Sequence, residues 1–259
     1  MITAIIQARI SSTRLPGKML ADIEGKSLLL HVIERVRKSK KIDAIIVATT
    51  DKKADKKIIE ISKKAGVKTF AGSETDVLDR YYQSAKKFSS EVIVRVTADD
   101  PFKDPEIIDE LVGVFLNNKS KFDYVSNTIK PTYPEGLDIE VFSFVALKKA
   151  WKESKKSFQR EHVTPYIWQN PKKFNVKNIS FKKDLSHLRW TIDHPQDLQF
   201  AREIYKRLYA IKPIFLMQDI LGVLKKEPHL VKINQGMVRN EGFLKSLEKE
   251  KHKSTINVS

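Results

Sequence analysis

The chain has 259 residues, 41% of them hydrophobic, which suits one large folded domain or two small ones and is too apolar for a disordered chain. It has no cysteine, which excludes disulfides, thiolate nucleophiles and cysteine-held zinc or iron–sulfur centres. Lys+Arg 48 against Asp+Glu 32 leaves +16, the signature of an anionic partner or of a lysine-coated surface.

The residues alternate between two periods. A short apolar run over 2–7 predicts a strand, and the spacing of Leu28, Val32, Ile33 and Val36 predicts a helix over 27–38. A strand over 44–49 follows, buried on both faces, then a helix over 55–65 that Gly66 ends. Next come a strand over 67–70, a helix over 76–88, a strand over 91–97 and a helix over 105–117 with Pro105 in its first turn. Strand–helix alternation of this kind predicts an α/β fold with a mostly parallel central sheet, a nucleotide-binding type of architecture. Beyond residue 118 the links become irregular. Strands are expected over 124–126, 138–142, 175–181 and 188–192, and helices over 144–152, 160–170, 195–208 and 217–226. The aromatic residues Trp151, Trp168, Trp190, Phe200 and Tyr205 fall at core positions of these elements. We expect one domain over 1–245, with a nucleotide-binding half (1–118) and an acceptor-binding half (119–245). The polar stretch 246–259 reads as a fraying tail. No apolar run reaches the ~18 residues of a membrane span, and residues 1–6 lack the features of a secretory signal, so a cytoplasmic protein without membrane insertion is expected.

The strongest signal lies between the first strand and the first helix: Gln7-Ala8-Arg9-Ile10-Ser11-Ser12-Thr13-Arg14-Leu15-Pro16-Gly17-Lys18. An α/β sheet binds ligands beyond the carboxyl ends of its strands, and here cations, hydroxyls and a glycine gather at that place. Backbone N–H groups of such a loop cradle an anion while Arg9, Arg14 and Lys18 neutralise phosphate charge. The spacing is neither that of a Walker A loop nor that of a dinucleotide fingerprint. Asp99 and its neighbour Asp100 follow one strand and Asp193 follows another, and hard carboxylate oxygens of this kind suit Mg²⁺ beside phosphate oxygens. Alternation along the strand does not choose between Asp99 and Asp100 after the bend at Pro101. Asp193 stands just before Pro195, where a helix N-cap or turn role is the alternative. No histidine pair has zinc spacing, and no nucleophile elbow is present.

The first-loop motif resembles that of the cytidylyltransferases that make CMP-activated acid sugars, such as CMP-Kdo synthetases, and most nearly their branch of the spore-coat polysaccharide biosynthesis protein F type. Further segments match in order: 46–51, 72–82, Arg95-Val96-Thr97-Ala98-Asp99-Asp100-Pro101, and Arg189-Trp190-Thr191-Ile192-Asp193-His194-Pro195-Gln196-Asp197-Leu198. The family usually has Gly where Ala98 stands. The resemblance covers about residues 2–245. It implies a Rossmann-like nucleotide-diphospho-sugar transferase (GT-A-like) fold, a homodimer, and transfer of CMP from CTP to an anionic acceptor in surface-glycan precursor biosynthesis, with release of pyrophosphate. Arg9, Arg14 and Lys18 are then the catalytic cations. Ala8, Arg9, Ser12, Thr13, Arg14, Lys18, Ser73, Asp76 and Thr97 bind nucleotide, and Asp99 and Asp193 hold Mg²⁺. Asp138, Glu140, Arg160 and His162 resemble the parts that face the acceptor, which would be an acid sugar, a sugar phosphate or a phosphonate. For Asp138 and Glu140, read as same-face carboxylates of one strand, the alternative is a solvent-facing edge. For Arg160 and His162, read as the first turn of a helix, it is a structural ion pair.

Two other enzyme readings stand beside this one: a sugar-1-phosphate nucleotidyltransferase using another NTP, and a nucleotide-sugar-dependent glycosyltransferase. A non-catalytic RNA- or membrane-binding protein would explain +16. It needs aromatic-interleaved basic stripes or a basic amphipathic helix, and neither is found, so no nucleic-acid partner is expected.

Overall fold

A computed structural model of the protein describes residues 1–118 and 121–256. In chain order the chain forms β1 (Ile2–Gln7), a hairpin of β2 (Asp22–Ile23) and β3 (Lys26–Ser27), α1 (Leu28–Val36), β4 (Ala44–Thr50), α2 (Lys56–Lys64), β5 (Lys68–Gly72), α3 (Val77–Lys87), β6 (Val92–Thr97) and α4 (Pro105–Asn117). Then follow β7 (Tyr124–Ser126), β8 (Glu140–Ser143), α5 (Phe144–Glu153), α6 (Ser157–His162), α7 (Pro165–Trp168), β9 (Val176–Asn178), α8 (Pro195–Leu208), α9 (Met217–Lys226) and α10 (Glu241–Ile256).

Seven strands make one sheet in the order β5-β4-β1-β6-β8-β7-β9. β5, β4, β1 and β6 run parallel, and β8 is antiparallel to both β6 and β7. The alternating side chains of β1 explain why helices cover both faces. Ala4 and Ile6 enter a core with residues of α1, α2, α4, α8 and α9, while Ile5 enters a second core with α3, α5 and α7. Strand order reverses around β1, with β4 and then β5 on one side and β6 on the other. A crevice therefore opens beyond the carboxyl ends of β1 and β6.

Four expectations change. Residues 188–192 form no strand; Glu135 and Arg189 make a single bridge, with Glu135 N–H donating to Leu188 O at 2.9 Å and Trp190 N–H to Glu135 O at 2.7 Å. Gly136 permits this approach: its φ is 103°, and a Cβ there would lie 2.7 Å from the Trp190 carbonyl carbon. β8 starts at Glu140, so Asp138 precedes the strand instead of sharing it. The helix expected over 160–170 is two helices, because Val163 sits at φ 71° and Pro165 starts the second. Arg160 and His162 are therefore in the last turn of α6, not the first. Finally, much of the stretch expected to fray belongs to α10, which packs on α6; residues 257–259 lie outside the described residues.

Candidate functional site

The loop after β1 is held in shape by its own bonds. Ile10 N–H donates to Asp55 Oδ1 at 2.8 Å, Leu15 N–H to Ser12 Oγ at 3.3 Å, and Gly17 N–H to Ile10 O at 3.4 Å. Ser11 Oγ donates to Glu74 Oε1 at 2.7 Å, which ties the loop to the segment entering α3. Gly17, at φ 72°, turns the chain into one helical turn, Lys18–Leu20, and aims Lys18 across the crevice.

Lys18 is the hub. Its buried ammonium donates to Asp99 Oδ2 at 2.8 Å, to Asp193 Oδ1 at 2.8 Å and to Ile192 O at 2.7 Å. These three acceptors match the three protons of the group. Burial would lower its pKa, but Asp99 and Asp193 outweigh burial and raise it above the ordinary lysine value. Asp193 also takes Arg14 Nη2 at 2.6 Å and Arg189 Nη2 at 3.3 Å. Burial works to raise the Asp193 carboxyl; Lys18 and Arg14 overcome it and hold the carboxyl well below the usual range. Arg189 continues inward to Glu135 at 2.8 Å and Asp197 at 2.9 Å.

The candidate metal carboxylates thus share one cation. Among the described residues no three His, Cys, Asp or Glu side chains cluster as a metal cage. Two hard carboxylates beside the cationic loop after β1 fit Mg²⁺, which takes one or two carboxylates and fills its remaining places with other oxygens. Asp100 faces elsewhere: it accepts from Lys103 Nζ at 2.8 Å and from Thr97 Oγ1, and burial pushes it up to about 6.

The expected nucleotide residues differ in exposure and partners. Ala8 is buried, with its N–H on Ala48 O at 3.1 Å, while Arg9 and Thr13 are exposed. Ser73 Oγ accepts from Asp76 N–H at 3.0 Å, and Asp76 caps α3 through Asp79 N–H at 2.9 Å.

The expected acceptor residues each have their own partners. Arg160 is held by Asp76 Oδ2 at 2.6 Å and by the carbonyls of Trp151 and Ser154. Glu140 is buried against Arg95 at 3.0 Å and accepts from Thr164 Oγ1 at 3.2 Å. Asp138 pairs with Arg239 at 2.6 Å. His162 lies 3.1 Å from Ser246 Oγ and meets the Phe243 ring edge-on at 5.2 Å. Burial, reinforced by Arg95 and Arg9 and opposed by Glu161, pushes its imidazole down to about 4.

Sequence reasoning missed Arg239 and Glu241. Glu241 reaches the site from the start of α10, and Lys245 and His194 hold its carboxyl down to about 2. Arg239 was open to detection, as a lone arginine in a lysine-rich stretch, the residue type that marks carboxylate pairing.

Residues 3–237 match the profile of a cytidylyltransferase family. A Methanocaldococcus jannaschii protein without an assigned function is 44% identical over 246 residues, spanning 93% of this chain and 97% of that one. The spore coat polysaccharide biosynthesis protein SpsF of Bacillus subtilis is 30% identical over 233 residues, 88% of this chain and 95% of SpsF. Among solved structures, a cytidylyltransferase from Leptospira borgpetersenii superposes with a TM-score of 0.87 at 34% identity, covering 92% of this chain and 98% of that chain.

Proposed function

The chain belongs to the cytidylyltransferase family, and we propose that this nucleotidyltransferase moves CMP from CTP to a small anionic acceptor, an acid sugar, sugar phosphate or phosphonate, in the making of glycan precursors. The observation that carries this is the Lys18 ammonium between Asp99 and Asp193, with Arg14 beside it, at the mouth of the crevice beyond β1 and β6. The name of the B. subtilis relative supports the glycan setting.

The acceptor oxygen, already ionised in a phosphate or phosphonate and giving its proton to solvent when it is a sugar hydroxyl, forms a bond to the α-phosphorus of CTP. The bond from that phosphorus to the oxygen bridging to the β-phosphate breaks, and pyrophosphate leaves with the electron pair. Little covalent work falls to the protein; positioning and charge neutralisation supply the rate. The loop 8–18 receives the triphosphate; Arg14, with Arg9 alongside, stabilises the charge on the leaving group, and Lys18 joins them by exchanging its bonds to Asp99 and Asp193 for phosphate oxygens. Asp99 and Asp193 would hold Mg²⁺, which when bound neutralises phosphate charge and orients the α-phosphate. Ser73, Asp76 and Thr97 flank the nucleoside. His162, kept neutral by burial, offers the acceptor a hydrogen bond without adding charge.

Pyrophosphate release, measured for the four NTPs against a panel of acid sugars, sugar phosphates and phosphonates, tests this. Release with CTP and one acceptor class is expected. Preference for another NTP with a sugar 1-phosphate would replace the reading, and absence of release from all four would favour glycosyl transfer.

A further inference from the structure

The family profile ends at residue 237, yet the residues just beyond it reach back into the site. Arg239 donates to Tyr133 O at 3.2 Å as well as pairing with Asp138, and Asn240 N–H donates to Glu135 Oε1 at 2.8 Å. These bonds fix where α10 begins, and α10 then runs against α6, with Phe243 and Ser246 on His162.

Glu241, the first residue of α10, meets the cations of the loop side. Its Oε2 lies 3.0 Å from His194 Nε2 and 3.7 Å from Arg14 Nε, while Arg14 Nη2 stays on Asp193. A carboxylate oxygen seated between an arginine and an imidazole occupies the place of a phosphate oxygen, because the same fork and the same N–H serve either anion. Arg14 is a residue that the triphosphate needs, by the reading given above, on which this inference rests. A fixed carboxylate at that position opposes the incoming phosphates until it moves. Glu241 is about one-quarter exposed, so it can leave without unpacking the core.

We propose that Glu241 is a gating residue: its carboxylate holds the anion position between Arg14 and His194, a nucleotide's phosphates replace it there, and the exchange frees α10 from His162 at the acceptor end. His194 thereby becomes a second phosphate ligand beside Arg14. The order of events follows: nucleotide enters first, and the acceptor end opens in consequence.

Calorimetry on the full chain, with CTP and with inorganic triphosphate, tests the proposal. Glu241→Gln should tighten both by about tenfold, the loss of one like-charge repulsion. Glu248→Gln, an exposed carboxylate on the same helix, should change either by less than about twofold. In the unaltered protein, CTP should raise amide exchange over 241–252. Unchanged affinities in Glu241→Gln, an equal gain in Glu248→Gln, or unaltered exchange in α10 each overturn the gate. Should inorganic triphosphate respond to Glu241→Gln while CTP binds no better than other NTPs, the gate stands and the cytidylyl reading falls. Should CTP be preferred and release pyrophosphate while Glu241→Gln changes nothing, the reverse holds.

Discussion

From β1 to α4 the long strands β1, β4, β5 and β6 run parallel to one another and each leads to a helix, whereas from β7 onward strands shrink to three or four residues, β8 runs antiparallel, and the helical path breaks at Val163. The first region builds its part of the site from one loop and one strand end. The second builds its part from ion pairs that join distant segments: Arg160 to Asp76, Arg95 to Glu140, Arg239 to Asp138. Regular alternation gives the first loop a fixed place, and irregular links leave the second region to be shaped by side-chain pairing; on the proposed function these are the phosphate and acceptor ends. A family can keep the former and vary the latter.

The first region breaks hardest. Lys18→Met leaves Asp99 and Asp193 facing each other without their shared cation, and turnover read as pyrophosphate release should fall by about a thousandfold. Unchanged release would remove Lys18 from the chemistry. The seam between the regions comes next. Gly136→Ala places a Cβ against the Trp190 and Thr191 backbone at a left-handed φ, and thermal or urea melting should report a loss of about 2–3 kcal/mol. The second region has its own pH signature. His162 titrates at about 4 in the folded protein against 6.5 in the unfolded chain, so between those values the unfolded chain holds a proton that the folded protein lacks. Stability should fall on the order of 1–3 kcal/mol as pH drops through that window and be fully present above it. His162→Gln should flatten this limb of a urea-melt series; an unaltered limb would assign it to other groups. The smallest effect belongs to the lysine coat. Lys182 and Lys183 are exposed, and changing both to Gln should move stability by no more than about 0.5 kcal/mol.

The same contrast sets what the sequence made legible. The boundaries of β1, α4, α8 and α9 follow from apolar period, proline and turn residues, all local signals. The loop 7–18 was readable because a crevice end, cations and hydroxyls coincide within twelve positions, and the family resemblance holds over residues 3–237. Long-range geometry was not readable. Lys18 and Asp193 are 175 positions apart, and no local pattern says that one ammonium serves both carboxylates. Residues 188–192 carry strand-like composition, but the turn around Gly136 takes their backbone bonds, so propensity loses to tertiary contact. The stretch 246–259 looked too polar to fold alone. α10 is held instead by Phe243 on Phe158 and Trp168 and by Ser157 N–H on Glu250, contacts supplied from α6 and α7.

The two margins of the sheet carry a further consequence. β5 ends it on one side with exposed Lys68, and β9 ends it on the other with three residues and exposed Lys177 at their centre. Unpaired N–H and C=O groups on such margins invite another chain to add a strand, and a lysine set into a short margin opposes that addition by charge. Part of the +16 thus sits where it opposes the joining of two copies sheet to sheet.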